Sequence, residues 1–93
     1  MKIHLKFHGM PILYKTLKKK KEFPFEFSGK TVGDLIKELI RKFGISVKKA
    51  LLDNSGSIDM EIRVVLNEKE YLMENRMETS LNNGDTLTFM GAS

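Results

Sequence analysis

The stretch TVGDLIKELIRKFG, residues 31 to 44, decides how the rest of the chain must be read. Val32, Leu35, Ile36, Leu39, Ile40 and Phe43 fall on one stripe at helical spacing, with charged residues between them. Thr31 stands where a helix takes its N-cap. Asp34 occupies the reciprocal position of a capping box, an Asp where Glu or Gln is usual. Gly44 is a natural residue just past the helix end. Gly33, in the first turn, is the weak point, costing up to about 1 kcal/mol relative to Ala. A helix with one apolar stripe must cover something, and the flanking segments read as a sheet.

Upstream, KIHLKF (2–7) alternates, with Ile3, Leu5 and Phe7 on one face and Lys2, His4 and Lys6 on the other. EFPFEF (22–27) repeats the pattern with Phe23, Phe25 and Phe27 inward, and Pro24, which has no N–H to donate, marks an edge strand. The segment between them, with Gly9, Pro11 and a run of lysines, reads as a long hairpin loop. Downstream, ISVKKALLD (45–53) predicts a short second helix and DNSGS a loop. IDMEIRVVLN (58–67) sets Ile58, Met60, Ile62, Val64 and Leu66 against Asp59, Glu61, Arg63 and Val65, which predicts a long central strand. NEKE turns the chain into a short return strand at Tyr71 and Leu72. LNNGD turns it again into TLTFM (86–90), with Leu87 and Phe89 inward. The order predicts a two-layer α+β domain spanning residues 1–93, a mixed sheet of about five strands under one main helix. A hairpin, a crossover helix and a final strand inserted centrally make the β-grasp arrangement, and the handedness of crossovers puts the helix on one face.

Composition narrows the function classes. The 93 residues are 41% hydrophobic and 30% charged, with no apolar run long enough to span a membrane and no continuous apolar block at the start. The absence of cysteine removes disulfides, thiolate metal sites and a cysteine nucleophile, and fits a cytoplasmic protein. The net charge of +4 is uneven: residues 1–30 carry +6 and residues 61–93 carry −3. Lys15 and Lys18 to Lys21 supply much of the excess. They read as a solvated loop rather than a nucleic-acid surface, because no aromatic residues interleave them for base stacking.

Motifs that would carry chemistry fail on spacing. SGKT (28–31) ends like a phosphate-binding loop, but the position that needs the first Gly is Pro24. In DNSGSID, counted from Asp53, the calcium-loop positions that require Gly and Glu are Ile58 and Val64. His4 and His8 lie on a strand and the loop after it, with no third ligand, so no metal is expected. Met60, Met73, Met77 and Met90 read as core or rim filler. No arrangement of nucleophile and base appears, so an enzyme is not expected.

Three phrases, in order, carry a resemblance. TVGDLIKELIRKFG resembles the helix of the ubiquitin-like sulfur carriers, RVVLNEKEY their central V-x-V-N-G-x hairpin with Glu68 in the Gly place, and LNNGDTLTFM their L-x-x-G-D-x-V approach to the last strand. Together they lie within a span of about two thirds of the chain, residues 31–90. The family is the small subunit of molybdopterin synthase and the thiamine-pathway carrier (MoaD/ThiS type). The resemblance implies a protein that carries sulfur on its own C-terminus for molybdenum or tungsten pterin cofactor or thiamine biosynthesis, with no cofactor of its own. It implies two partners: an E1-like adenylating enzyme, and a synthase large subunit or other sulfur acceptor. By this resemblance Met90, Gly91, Ala92 and Ser93 form the inserted tail, and the partner grips the exposed sheet face, where Val65, Thr88 and Met90 are expected to point outward. The family ends Gly-Gly and this sequence ends Gly-Ala-Ser, with four residues past Phe89 where the family has about six or seven. That shortens the reach by about 7–11 Å. A β-grasp interaction module that has lost carrier chemistry is the alternative.

Overall fold

The computed structural model describes residues 1–91. The elements run β1 (Lys2–His8), α1 (Pro11–Thr16), β2 (Glu22–Glu26), α2 (Val32–Phe43), α3 (Ile45–Leu51), β3 (Arg63–Leu66), β4 (Glu70–Tyr71), a short 3-10 turn (Arg76–Glu78) and β5 (Thr86–Met90). The sheet order is β2-β1-β5-β3-β4, so the last strand is the central one. It pairs parallel with β1 and antiparallel with β3; β1–β2 and β3–β4 are antiparallel hairpins. This is the β-grasp fold.

α2 forms where its stripe and caps place it. Thr31 Oγ1 accepts from the Asp34 amide at 3.1 Å, and Asp34 Oδ2 accepts from the Thr31 amide at 3.2 Å, completing the capping box. Val32, Leu35, Ile36 and Leu39 are wholly buried against the inner face of the sheet, where Ile3, Leu5, Leu87 and Phe89 meet them. Each such side chain contributes about 1.5–3 kcal/mol. Gly33 has a packing reason: a Cβ there would lie 2.9 Å from the Met77 carbonyl oxygen, so the glycine lets the 3-10 turn close on the helix. α3 lies between α1 and α2, and its Val47 and Leu51 join the same core. β2 sits at the sheet edge, as its proline requires, with Phe25 and Phe27 buried and Phe23 half-buried.

Two expectations are corrected. The first is the loop of residues 8–21, which contains α1. Proline at the first helical position is pre-set for a helix, and Leu13 and Leu17, four apart, both enter the core. The second is the long strand of residues 58–67, of which only Arg63–Leu66 pairs. Ile58 keeps an isolated bridge to Leu52, but the next residues turn. Asp59 Oδ1 accepts from the Glu61 amide at 2.9 Å, an Asx-type turn, and the Ile62 amide donates to the Asp59 carbonyl. The guanidinium of Arg76 then donates to the carbonyls of Ile58, Asp59 and Ile62 at 2.9, 3.0 and 2.5 Å. One side chain thus satisfies backbone acceptors that a strand would have paired. Met60, expected inward, is 92% exposed at the tip of this turn, and Met73 is exposed too, so neither is core filler. Met77 does pack against the core.

The loops rejected as ligand sites consume their own polar groups. The amides of Lys30 and Thr31, which a phosphate loop would aim at its ligand, donate to Asp34 instead, and those bonds hold its carboxyl below the ordinary value of 3.8. Asp53 Oδ1 accepts from Ser55 Oγ and from the amides of Ser55 and Ser57, which lowers its pKa likewise.

Candidate functional site

The sheet has one face under the helices and one face open. On the open face the strand registers align a row running Glu22, Lys6, Thr88, Val65, Tyr71, with one residue from each strand. The site residues expected on this face, Val65 and Thr88, do lie in that row, apart from the main core cluster. They are not open to water, however: Val65 is 5% exposed and Thr88 is 6% exposed. They lie with Lys6, Glu68 and Tyr71 around a shallow depression of about 200 Å³. Lys6 Nζ on β1 reaches Glu68 in the β3–β4 turn at 2.5 Å, spanning β5. That bond raises the Lys6 pKa and holds Glu68 below the ordinary carboxylate value.

Glu68 occupies a glycine position in conformation as well as in sequence. Asn67 and Glu68 both have positive φ, 52° and 61°, and the Lys69 amide donates to the Leu66 carbonyl, as in a type I′ turn. Asn67 suits this region; a glutamate adopts it at a cost. Its carboxylate is what reaches Lys6. Sequence reading placed Lys6 outward but did not pair it with Glu68, because the two are 62 positions apart and only the parallel β1–β5 register brings them together. On the same face His4 Nε2 lies 3.0 Å from Glu22 Oε1, a contact that lowers the Glu22 pKa.

Met90 is the last residue of β5, opposite His8 on β1 and Arg63 on β3, so it belongs to the sheet rather than to a tail. Gly91 continues the ladder by one bond, its amide donating to the His8 carbonyl at 2.8 Å. A Cβ at Gly91 would stand 2.3 Å from the Gly9 carbonyl oxygen, closer than any side chain permits. The glycine is therefore required by the crossing of two backbones. The two remaining expected tail residues, Ala92 and Ser93, lie outside the described residues.

The end of β5 adjoins a second feature. Phe7, Met10, Pro11 and Tyr14 line a groove of about 380 Å³ with Lys20 and Lys21, beside the Gly9–Gly91 crossing. A third depression, of about 430 Å³, gathers Met60, Tyr71, Met73 and Arg63 at the β3–β4 edge. Among the described residues no cluster of His, Asp or Glu could hold a metal ion, and no helix is long and apolar enough to cross a membrane.

No protein-family model matches the chain, and no curated protein does. Solved structures match it closely in shape. CysO of Mycobacterium tuberculosis, described as an antigen, superposes with a TM-score of 0.77 at 21% identity, covering 98% of this chain and 99% of that one. The BexX/CysO complex of Amycolatopsis orientalis matches with a TM-score of 0.77 at 23% identity, covering 98% and 96%. Small archaeal modifier protein 1 of Haloferax volcanii matches with a TM-score of 0.75 at 17% identity, covering 99% and 98%. At these identities the likeness is one of fold: the chain has the ubiquitin-like β-grasp architecture, complete from β1 to β5.

Proposed function

We propose that this chain is a ubiquitin-like carrier or modifier that works through its C-terminal segment rather than through an active site of its own, with residues 1–93 acting as one β-grasp handle. The finer reading is a sulfur carrier of the cytoplasm, serving molybdenum or tungsten pterin cofactor or thiamine biosynthesis. The observation that carries it is the central position of β5. The strand is held on both sides and delivers the chain past Met90 at one end of the sheet. In this reading an E1-like enzyme activates the terminal carboxylate. The carboxylate attacks the α-phosphate of ATP and releases pyrophosphate; a sulfide-level donor then displaces AMP and leaves a thiocarboxylate. A synthase large subunit or other acceptor takes the sulfur. The open sheet face around Val65, Thr88 and Met90 is the grip. The neighbours lend support in their own names, one being a modifier protein and one a CysO found in a complex.

The test is intact-mass spectrometry after incubation with an activating enzyme, ATP and a sulfide source. The carrier reading expects a mass gain equal to one oxygen replaced by sulfur. No gain, either with the sequence as it stands or with two glycines appended, refutes it.

One observation favours a second reading, a docking module without carrier chemistry. Gly91 is fully accounted for by its bond to His8 and its contact with Gly9, with no need for a threaded tail. That reading expects stable capture of a partner by the chain lacking residues 92 and 93; loss of capture on that deletion counts against it.

A further inference from the structure

The lysine run is a shaped element. α1 ends in a Schellman motif: the Lys19 amide donates to the Tyr14 carbonyl at 2.7 Å and the Lys18 amide to the Lys15 carbonyl at 3.2 Å. The position after the cap in that motif normally belongs to Gly. Here it is Lys18, with φ 58°, and Lys19 follows with φ 64°. Two consecutive lysines hold a left-handed conformation that costs ordinary side chains and that Gly or Asn adopts more cheaply. A helix C-terminus favours cations, which accounts for charge nearby but not for lysine at the left-handed positions.

The two lysines that follow this turn, Lys20 and Lys21, lie beside an apolar groove. Phe7 is buried, Met10 and Tyr14 are half-buried, Pro11 is exposed, and Lys20 and Lys21 complete the lining. Lys21 Nζ lies 5.8 Å from the centre of the Tyr14 ring. Among the described residues no carboxylate pairs with Lys15 or with Lys18 to Lys21; the ion pairs present join His4 to Glu22, Lys6 to Glu68 and Arg41 to Glu38. Uncompensated positive charge at the mouth of an apolar slot is complementary to a negative ligand with an apolar anchor. A nucleic-acid strand fits less well: of the two rings lining this groove Phe7 is buried and Tyr14 already has Lys21 over it, and bases need a succession of stacking faces.

We propose that this groove docks an acidic segment of a partner protein, an apolar side chain entering between Met10, Pro11 and Tyr14 while flanking carboxylates meet Lys20 and Lys21. The site lies at the end of the sheet where β5 finishes, so a partner held there is held next to the C-terminal segment. It stands apart from the carrier reading and is tested separately from it.

The test titrates the isotopically labelled full chain with a short synthetic peptide carrying acidic residues on both sides of one phenylalanine, followed by amide NMR. The expected result is saturable shifts at Met10, Tyr14, Lys20 and Lys21 that weaken with added salt. K20E/K21E should lose affinity by about tenfold or more while keeping a native spectrum. K20Q/K21Q serves as a milder pair should charge reversal perturb folding. A peptide with alanine in place of phenylalanine should bind more weakly, and one with lysines in place of the acids should not bind. Absence of saturable shifts, shifts centred on Lys48 and Lys49 instead, or full affinity in both lysine variants overturns the proposal. So does an oligoadenylate strand that shifts the same amides at lower concentration than the peptide. Thiocarboxylate formation that survives K20E/K21E leaves the carrier reading intact whichever way the peptide behaves.

Discussion

Leu87, Thr88 and Phe89 are consecutive residues of one strand, and all three are hidden from water, but by different means. Leu87 and Phe89 face the helices and meet branched and aromatic side chains fixed by α2 and α3. Thr88 faces the other way and shares its depression with Lys6, Glu68 and Tyr71. The first cover is part of the fold and cannot leave without unfolding. The second consists of side-chain stems whose charged ends stay in solvent and which a change of rotamer can lift. Equal burial on the two faces therefore has unequal meaning: one face is core, the other a surface whose cover can move.

Mutations should separate them. Phe89→Ala opens a cavity under fixed helices and should cost about 3–5 kcal/mol in chemical denaturation. That is a large share of the roughly 5–15 kcal/mol typical of a small domain. Val65→Ala, at similar exposure on the open face, should cost only about 1.5 kcal/mol, the transfer value of the two groups removed, because the long side chains above it can settle into the gap. Equal losses would erase the distinction. Acid should act on the helix-covered layer through Asp34. Its carboxyl pKa is lowered by bonds from the Lys30 and Thr31 amides, so its contribution is present above its ordinary value of 3.8 and is lost as pH falls through the lower folded value. Asp34→Asn should therefore flatten the decline in urea midpoint over roughly pH 5 to pH 2; an unchanged slope would mean that other carboxylates govern it. The smallest effect belongs to Glu68→Gly. It removes an exposed ion pair of little net worth and relieves a left-handed glutamate, so the urea midpoint should not fall. The Thr88 and Val65 amides should meanwhile exchange with solvent faster. A clear drop in midpoint would make the Lys6–Glu68 bridge a structural bond rather than a removable cover.

The sequence was most readable where local and tertiary signals agree. The stripe and capping box of α2, the proline of β2 and the alternation of β5 each state a local preference that packing then uses. It misled at residues 58–62, where the alternation is real but the partner is not a strand. Arg76, 14 positions beyond Ile62, takes the carbonyls, and a long-range guanidinium leaves no periodic trace. The α1 helix was legible in principle, from Pro11 and the Leu13–Leu17 spacing, but the lysine run that follows suggested a loop. On the open face, the membership of Val65 and Thr88 followed from alternation. Their cover did not, because it depends on which strand lies beside which. At Gly91 the sequence offered a glycine near the end of a strand; only the crossing with Gly9 gives that glycine its reason.

The central place of β5 also bears on how the chain reaches its native state. The Lys2 amide bonds to Asn83 Oδ1 and the Gly84 amide to the Lys2 carbonyl, contacts between the first strand and the turn that precedes the last. As the chain leaves the ribosome, β1, β2 and all three helices emerge before the strand that must lie at the middle of their sheet. Until then the inner edge of β1 is unpaired and the apolar stripe of α2 lacks Leu87 and Phe89 to complete its cover. Such long sequence separation slows closure and leaves sticky edges exposed in the interval. The last strand of the sheet to be made is thus also the one whose arrival permits the rest to become a folded protein.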